Sequence, residues 1–185
     1  MPSRIVEEFA GRESLVAVNI ALAALVPLTV ALGFIVKQGD VVGVITSTGL
    51  GRRRTRAVAA GSGFATSAAT GQVDDASVFA PGDVLKNAAG TTVGTIAAGG
   101  VNKLTNVITL TANAAVAVAA GAAVLGSDGS QVAKAISDDE TDGTADAVTS
   151  VYICGLLKEA KLRGLDSTAK AELGGVSTAG GIFKF

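Results

Sequence analysis

Tight-turn signals that recur beside short β-branched runs constrain this chain more than any other feature. In residues 78–96, VFAPGDVLKNAAGTTVGTI, Pro81-Gly82-Asp83 supplies one turn and Val84 and Leu85 begin a strand. Asn87 to Gly90 supply a second turn, and Thr91 to Ile96 return. The pattern predicts a β-hairpin. A similar signature stands at residues 121–136, GAAVLGSDGSQVAKAI. Gly82 and Gly90 are eight residues apart, as are Gly121 and Gly129, and Val93 and Val132 each follow the second glycine by three residues. A looser copy is GDVVGVITS, residues 39–47, followed by Gly49. Each tight turn requires a positive φ or a close backbone approach, which a Cβ obstructs. Three such hairpins predict a small barrel or sandwich. Coincidence in a Gly/Ala/Val-rich chain is the competing explanation, since the two better copies match only loosely between their glycines.

At 185 residues the chain predicts one domain with appendages. Hydrophobic residues make up 49 %, but most are Ala and Val, with no Trp and one Tyr. Small side chains bury little area each, at roughly 25 cal/mol per Å² of apolar surface. Such a core points to contacts with other subunits as part of the chain's stability or purpose. The net charge of −1 gives no global field directed at nucleic acid. Cys154 is the only cysteine and stands in the apolar run 151–157, which predicts a buried, inert thiol.

The absence of histidine removes Ser-His and Cys-His dyads, HExxH zinc sites and histidine general bases. Cys154 has no metal-ligand partner at useful spacing. GLG at 49–51 and GSG at 61–63 do not match the phosphate-loop patterns. No constellation of residues suggests an enzyme, a cofactor or a metal.

Along the chain, residues 1–14 are a charged, mixed tail. Residues 15–36, LVAVNIALAALVPLTVALGFIV, carry no charge and are long enough to span a bilayer. Asn19, Pro27, Thr29 and Gly33 interrupt that run, and the glutamates before it argue against a signal peptide. The favoured reading is an apolar arm or short helix over 15–25 and a first strand over 28–36, ending at the turn Gln38-Gly39-Asp40. Residues 41–47 predict a strand buried on both faces. Arg52, Arg53, Arg54 and Arg56 follow, read either as a basic strip for an acidic surface or phosphates, or as a solvated edge strand. No aromatic residues interleave them, which argues against nucleic acid.

Residues 57–77 are small and polar, a loop or weak strand ending at Val73. Gly99-Gly100 predicts a turn and 106–111 a strand; the alanines of 112–123 allow a helix, but alternating Val116 and Val118 and the following Gly121 favour a strand with flanking loops. The acidic run 137–146, SDDETDGTAD, mimics the start of a calcium loop with Asp138, Glu140, Asp142 and Gly143, but Thr149 stands where the bidentate Glu belongs. It is read as a solvated acidic loop. Residues 148–157 predict a strand apolar on both faces. Residues 158–173 carry the helical pattern, with Asp166 as N-cap and Gly174 as C-cap. The last residues, VSTAGGIFKF, place Phe183 and Phe185 at a terminus that docks somewhere.

The runs GFIVKQGDVVGVITSTGLGRRRTRA, ATGQVDDASVFAPGDVLK, SDGSQVAKAISDDETDG and LRGLDSTAKAELGGVSTAGGIFKF together resemble the head decoration proteins of tailed bacteriophages, the broad lambda-type class of capsid cement proteins. The resemblance covers most of the chain from about Gly33 onward. It implies a mainly β fold, a small β-barrel or β-tulip-like core of repeated hairpins, with an extended N-terminal arm (residues 1–33), a decoration domain (34–185) and a short C-terminal helix. It further implies a homotrimer seated on the outside of an icosahedral shell, where it cements the head against the pressure of packaged DNA. The partners would be the major capsid protein and sister subunits, with no nucleic acid and no membrane. The arm of such a protein adds a strand to a capsid-protein sheet edge. On that basis Leu28, Val30, Leu32, Phe34 and Val36 are expected on the augmenting strand. Arg52, Arg53, Arg54 and Arg56, with Phe183 and Phe185, are expected at capsid or subunit contacts. The rival reading is a β-domain anchored in a membrane by residues 15–36. A host-binding module displayed on a virion is a third, without an aromatic platform in the sequence to support it.

Overall fold

The computed structural model describes residues 24–143, 147–174 and 183–184. The chain is mainly β, as expected, and its sheets are antiparallel apart from one short terminal pairing. Two units share it. Strands β1 (Ala24–Thr29), β2 (Ile35–Val36), β3 (Val41–Val44) and β4 (Gly51–Arg53) come first. Strands β5 (Arg56–Phe64), β6 (Thr70–Val73), β7 (Val84–Asn87), β8 (Thr92–Asn102), β9 (Val107–Leu110) and β10 (Ala123–Leu125) then close into a barrel of order β10-β5-β6-β9-β8-β7. The chain returns to the first unit with β11 (Ala135–Ser137), β12 (Thr141–Asp142), β13 (Val148–Leu156), helix α1 (Ser167–Gly174) and β14 (Phe183–Lys184). The barrel is therefore inserted between β4 and β11 of a sheet ordered β1-β13-β11-β3-β4.

The barrel forms because its strands alternate. Ile108 and Leu110 of β9, and Val73 of β6, point inward between exposed or half-buried neighbours. Phe64, Leu85, Val93, Ile96, Val118 and Val124 fill the interior with them, as side chains do in a barrel this small. The narrow bore explains the small residues: a Cβ on Gly71 would strike the Phe64 ring. The expected hairpin at 84–96 is present as β7 and β8, with Gly82 N–H donating to the Ile96 carbonyl at its open end.

Several expectations are corrected. Residues 121–136 are not a hairpin: β10 belongs to the barrel and β11 to the other sheet, because the chain crosses between the units there. The looser copy does form a hairpin, β3 with β4, but in the second sheet. Gly99 and Gly100 lie inside β8, where the register with β9 shifts between Ile96 and Val101, so they serve a bulge and not a turn. Residues 57–77 contain two regular strands, β5 and β6, whose small side chains concealed them. Residues 112–120 form no regular strand; Val118 makes a single bridge to Phe64. The strand expected over 28–36 is broken: β1 ends at Thr29, the chain turns at Leu32-Gly33 with Gly33 at φ +84, and β2 follows. β1 pairs with β13 over six residues, so the folded body begins before the boundary placed at residue 33.

The second sheet curls until Val30 bridges Gly51. It separates two small cores, Val30, Val36 and Val42 on one face and Val41, Ile136, Tyr152 and Leu157 on the other, the latter capped by Ala169 and Leu173 of α1. Adjacent Val41 and Val42 are both buried for this reason, as an uninterrupted apolar run requires. The strands expected over 106–111 and 148–157 are present as β9 and β13. The helix is shorter than its sequence pattern: a 3-10 turn covers Glu159–Lys161 and α1 starts only after Asp166, which caps it by accepting the Ala169 N–H at 2.6 Å. β14 pairs in parallel with the end of β13, so the terminus docks on the chain itself.

Candidate functional site

The stretch GRRRTR is the point where the chain leaves the sheet for the barrel, and its arginines fan out across the seam. Arg52, 2 % exposed, reaches the Asp83 carboxylate with both terminal nitrogens (3.1 and 2.8 Å), Asp128 at 3.1 Å and the Val78 carbonyl at 2.8 Å. Its guanidinium lies 3.9 Å from the centre of the Phe34 ring, a cation–π contact. Arg53 donates to Asp75 (2.8 Å) and Ser77 (2.7 Å) on the barrel side and pairs with Asp40 (3.3 Å) on the sheet side. Arg54, also buried, ties Asp166 and Glu172 to the seam, both at 2.9 Å, and Arg56 pairs with Asp166 at 2.6 Å. Beside them Thr55 and Ser130, one on each crossing strand, share a buried hydroxyl hydrogen bond of 2.8 Å.

The protonation of the seam follows from this geometry. Burial pushes the Asp40 carboxyl above its ordinary range, against the Lys37 N–H bond and the Arg53 charge. At Asp75 burial acts in the same direction but is outweighed by hydrogen bonds from Ser77 and Arg53 and by the Arg53 charge, so this carboxyl is held low. Asp166 is likewise lowered: the Ala169 N–H and the Arg54 and Arg56 guanidiniums outweigh its burial.

This overturns the expectation of an exposed basic strip. The four arginines are engaged inside the chain, where they join barrel, sheet and helix. Of the residues expected on an augmenting strand, Val30 and Val36 are core, Leu28 packs against Gly51, and Phe34 lies against Arg52. Only Leu32, 73 % exposed, presents a large apolar side chain freely to solvent. Phe183 is in β14; Phe185 lies outside the described residues, as does residues 15–23 of the expected apolar arm. Cys154 is half-buried on β13 rather than fully enclosed. In the acidic run, Thr141–Asp142 pairs with β2, and Gly143 lets that pairing close, since a Cβ there would come within 2.5 Å of the Phe34 carbonyl. Among the described residues no cluster of potential metal ligands forms, and no helix is long and apolar enough to cross a membrane.

A cleft of about 530 Å³ opens between the two units, and sequence reasoning did not find it. Phe34, Phe79 and Val101 give it an apolar lining, and Lys37, Lys103 and Arg163 give it charge. These cations come from three distant parts of the chain, so no local motif announces them. Asp40 and Arg53 also line the cleft but are paired with each other. No protein-family model, curated protein or solved structure matches the chain.

Proposed function

We propose that this protein is a structural component of a tailed-phage head, bound as a trimer to the outside of the capsid shell and cementing it against internal DNA pressure. The observation that carries the reading beyond the resemblance of the sequence is β1. This uncharged strand, ALVPLT, ends its sheet with β13 as its strand neighbour; among the described residues its opposite edge meets the chain again only beyond its end, at Val30 and Gly51. An open edge of this kind offers unpaired backbone groups to a strand from another chain, and Leu25 on it is exposed. The augmenting element is therefore β1 with the residues before it, in place of 28–36. The ion-paired seam supports the same role, since a clamp must resist deformation between its parts. Many copies on a fixed lattice then act together through individually modest contacts.

Quantitative mass spectrometry of purified phage particles tests the reading. Copy numbers near parity with the major shell protein support it. Absence from particles, with the protein recovered in the host membrane fraction, overturns it in favour of a membrane-anchored β-domain.

A further inference from the structure

The cleft between the units has two features that a merely structural seam does not need. First, Lys37, Lys103 and Arg163 are exposed and have no ion-pair partner among the described residues, although every seam arginine has at least one. Asp40, the acidic group that faces them, is already paired with Arg53 and feels the Arg163 charge only at longer range. In the adjoining hollow, which shares Lys37 and Arg163, Glu140 and Lys161 add one charge of each sign. The cleft thus keeps a positive surplus in a chain whose net charge is −1. Second, the two most exposed large apolar side chains of the described residues stand next in sequence to residues that line it, and Ile35 in the lining is itself exposed. Leu32 precedes Gly33–Ile35 on the sheet side, and Leu104, 93 % exposed, follows Lys103 at the tip of the β8–β9 hairpin. Exposed Leu32, Ile35 and Leu104 in or beside the lining leave apolar surface in water that a partner would cover.

We infer that this cleft docks an extended acidic peptide segment of a partner protein, with carboxylates on Lys37, Lys103 and Arg163 and apolar side chains against Phe34, Ile35 and the neighbouring Leu32 and Leu104. On the proposed function the segment belongs to the shell protein, and the inference about its identity rests on that reading; the chemistry of the cleft does not. Phosphate recognition is the less favoured alternative, because Phe34, Ile35 and Val101 line the space between the cations.

The test is fluorescence anisotropy on the full chain with a labelled 12-residue peptide of Glu and Asp carrying two leucines, against the same peptide with Lys for each acid and against a single-stranded oligonucleotide. The acidic peptide should bind, and Lys37→Glu with Lys103→Glu should weaken it about tenfold, as two reversed rim charges do. Leu32→Ser with Leu104→Ser should also weaken it, while Lys134→Glu, an exposed lysine that does not line the cleft, should not. Both lysines are exposed and have no ion-pair partner among the described residues, so their reversal should leave the fold intact, which far-ultraviolet circular dichroism checks. Equal binding of acidic and basic peptides, no effect of the double reversal, or preference for the oligonucleotide overturns the inference. The assay contains no shell, so its failure is separate from failure of the capsid reading, which particle composition decides.

Discussion

Arg52 and Asp83, 31 positions apart in sequence, meet in a two-pronged ion pair of 3.1 and 2.8 Å that joins the sheet to the barrel. A planar guanidinium fits this geometry and an ammonium does not. Replacing Arg52 with Met leaves Asp83 and Asp128 facing each other without their cation. We expect Arg52→Met to cost about 3 kcal/mol, the lower end for breaking a buried pair, because both carboxylates keep some solvent. Arg52→Lys should recover only a minor part. Urea denaturation checks both; a loss under about 1 kcal/mol would mean that the seam is held by packing and not by this pair.

Asp166 and Asp75 on one side, and Asp40 on the other, should respond to pH in opposite directions. Asp166 and Asp75 are held below 3.8 in the folded chain. Their contribution is full above the unfolded value and is lost as pH falls through the folded one. Asp40 is raised, so ionising it opposes folding, and that opposition disappears as pH falls from its raised value toward 3.8. Asp166→Asn should therefore destabilise at neutral pH and flatten the acid limb of the stability curve. Asp40→Asn, which keeps an acceptor for the Lys37 N–H, should cost less at neutral pH. Denaturation midpoints from about pH 3 to about pH 7 decide this; a larger loss for Asp40→Asn would show that its pairing with Arg53 outweighs its burial.

The β8 hairpin was legible because its turn chemistry is local: Pro81-Gly82-Asp83 and Asn87 to Gly90 specify their own geometry, and the returning strand is β-branched. The crossing at 126–134 was not, although Gly121 and Gly129 repeat the same spacing. Gly126 is glycine because a Cβ would meet the Thr55 hydroxyl at 2.5 Å, and Gly129, at φ +102, also passes against Thr46. Those are long-range reasons that imitate a turn signal. The arginines were visible as charges, but their partners are 31, 76, 112 and 118 positions away, so exposure was the natural inference and the wrong one. The cap at Asp166 needs only its own helix and was read correctly, while its second task, receiving Arg54 and Arg56, was hidden for the same reason.

Gly43 of β3 separates these two kinds of glycine experimentally. A Cβ there would run into the Ser130 carbonyl, and backbone stands on both sides of the contact. We expect Gly43→Ala to cost about 1–3 kcal/mol through overpacking at the crossing. Gly82 has open space around it but sits at φ +88, so Gly82→Ala should cost about 1 kcal/mol from the backbone alone. Thermal unfolding of the two variants compares them; equal effects would mean that the crossing relaxes around the added methyl.

Truncation separates the arm from the body. Removing residues 1–23 leaves β1 and its six-residue pairing with β13 in place, so the sheet and barrel should both still form. Removing residues 1–29 takes away β1, uncovers the edge of β13 and withdraws Leu28 from its contact with Gly51. That chain should lose the cooperative unfolding of the sheet while the inserted barrel, closed by its own six strands, retains protected amides. Hydrogen exchange followed by mass spectrometry reads the two units separately. If the capsid reading holds, the shorter truncation also loses affinity for heads in a cosedimentation assay with its fold intact. Binding as tight as that of the full chain would move the attachment away from the N-terminal segment and onto the body, with the cationic cleft as the first place to look.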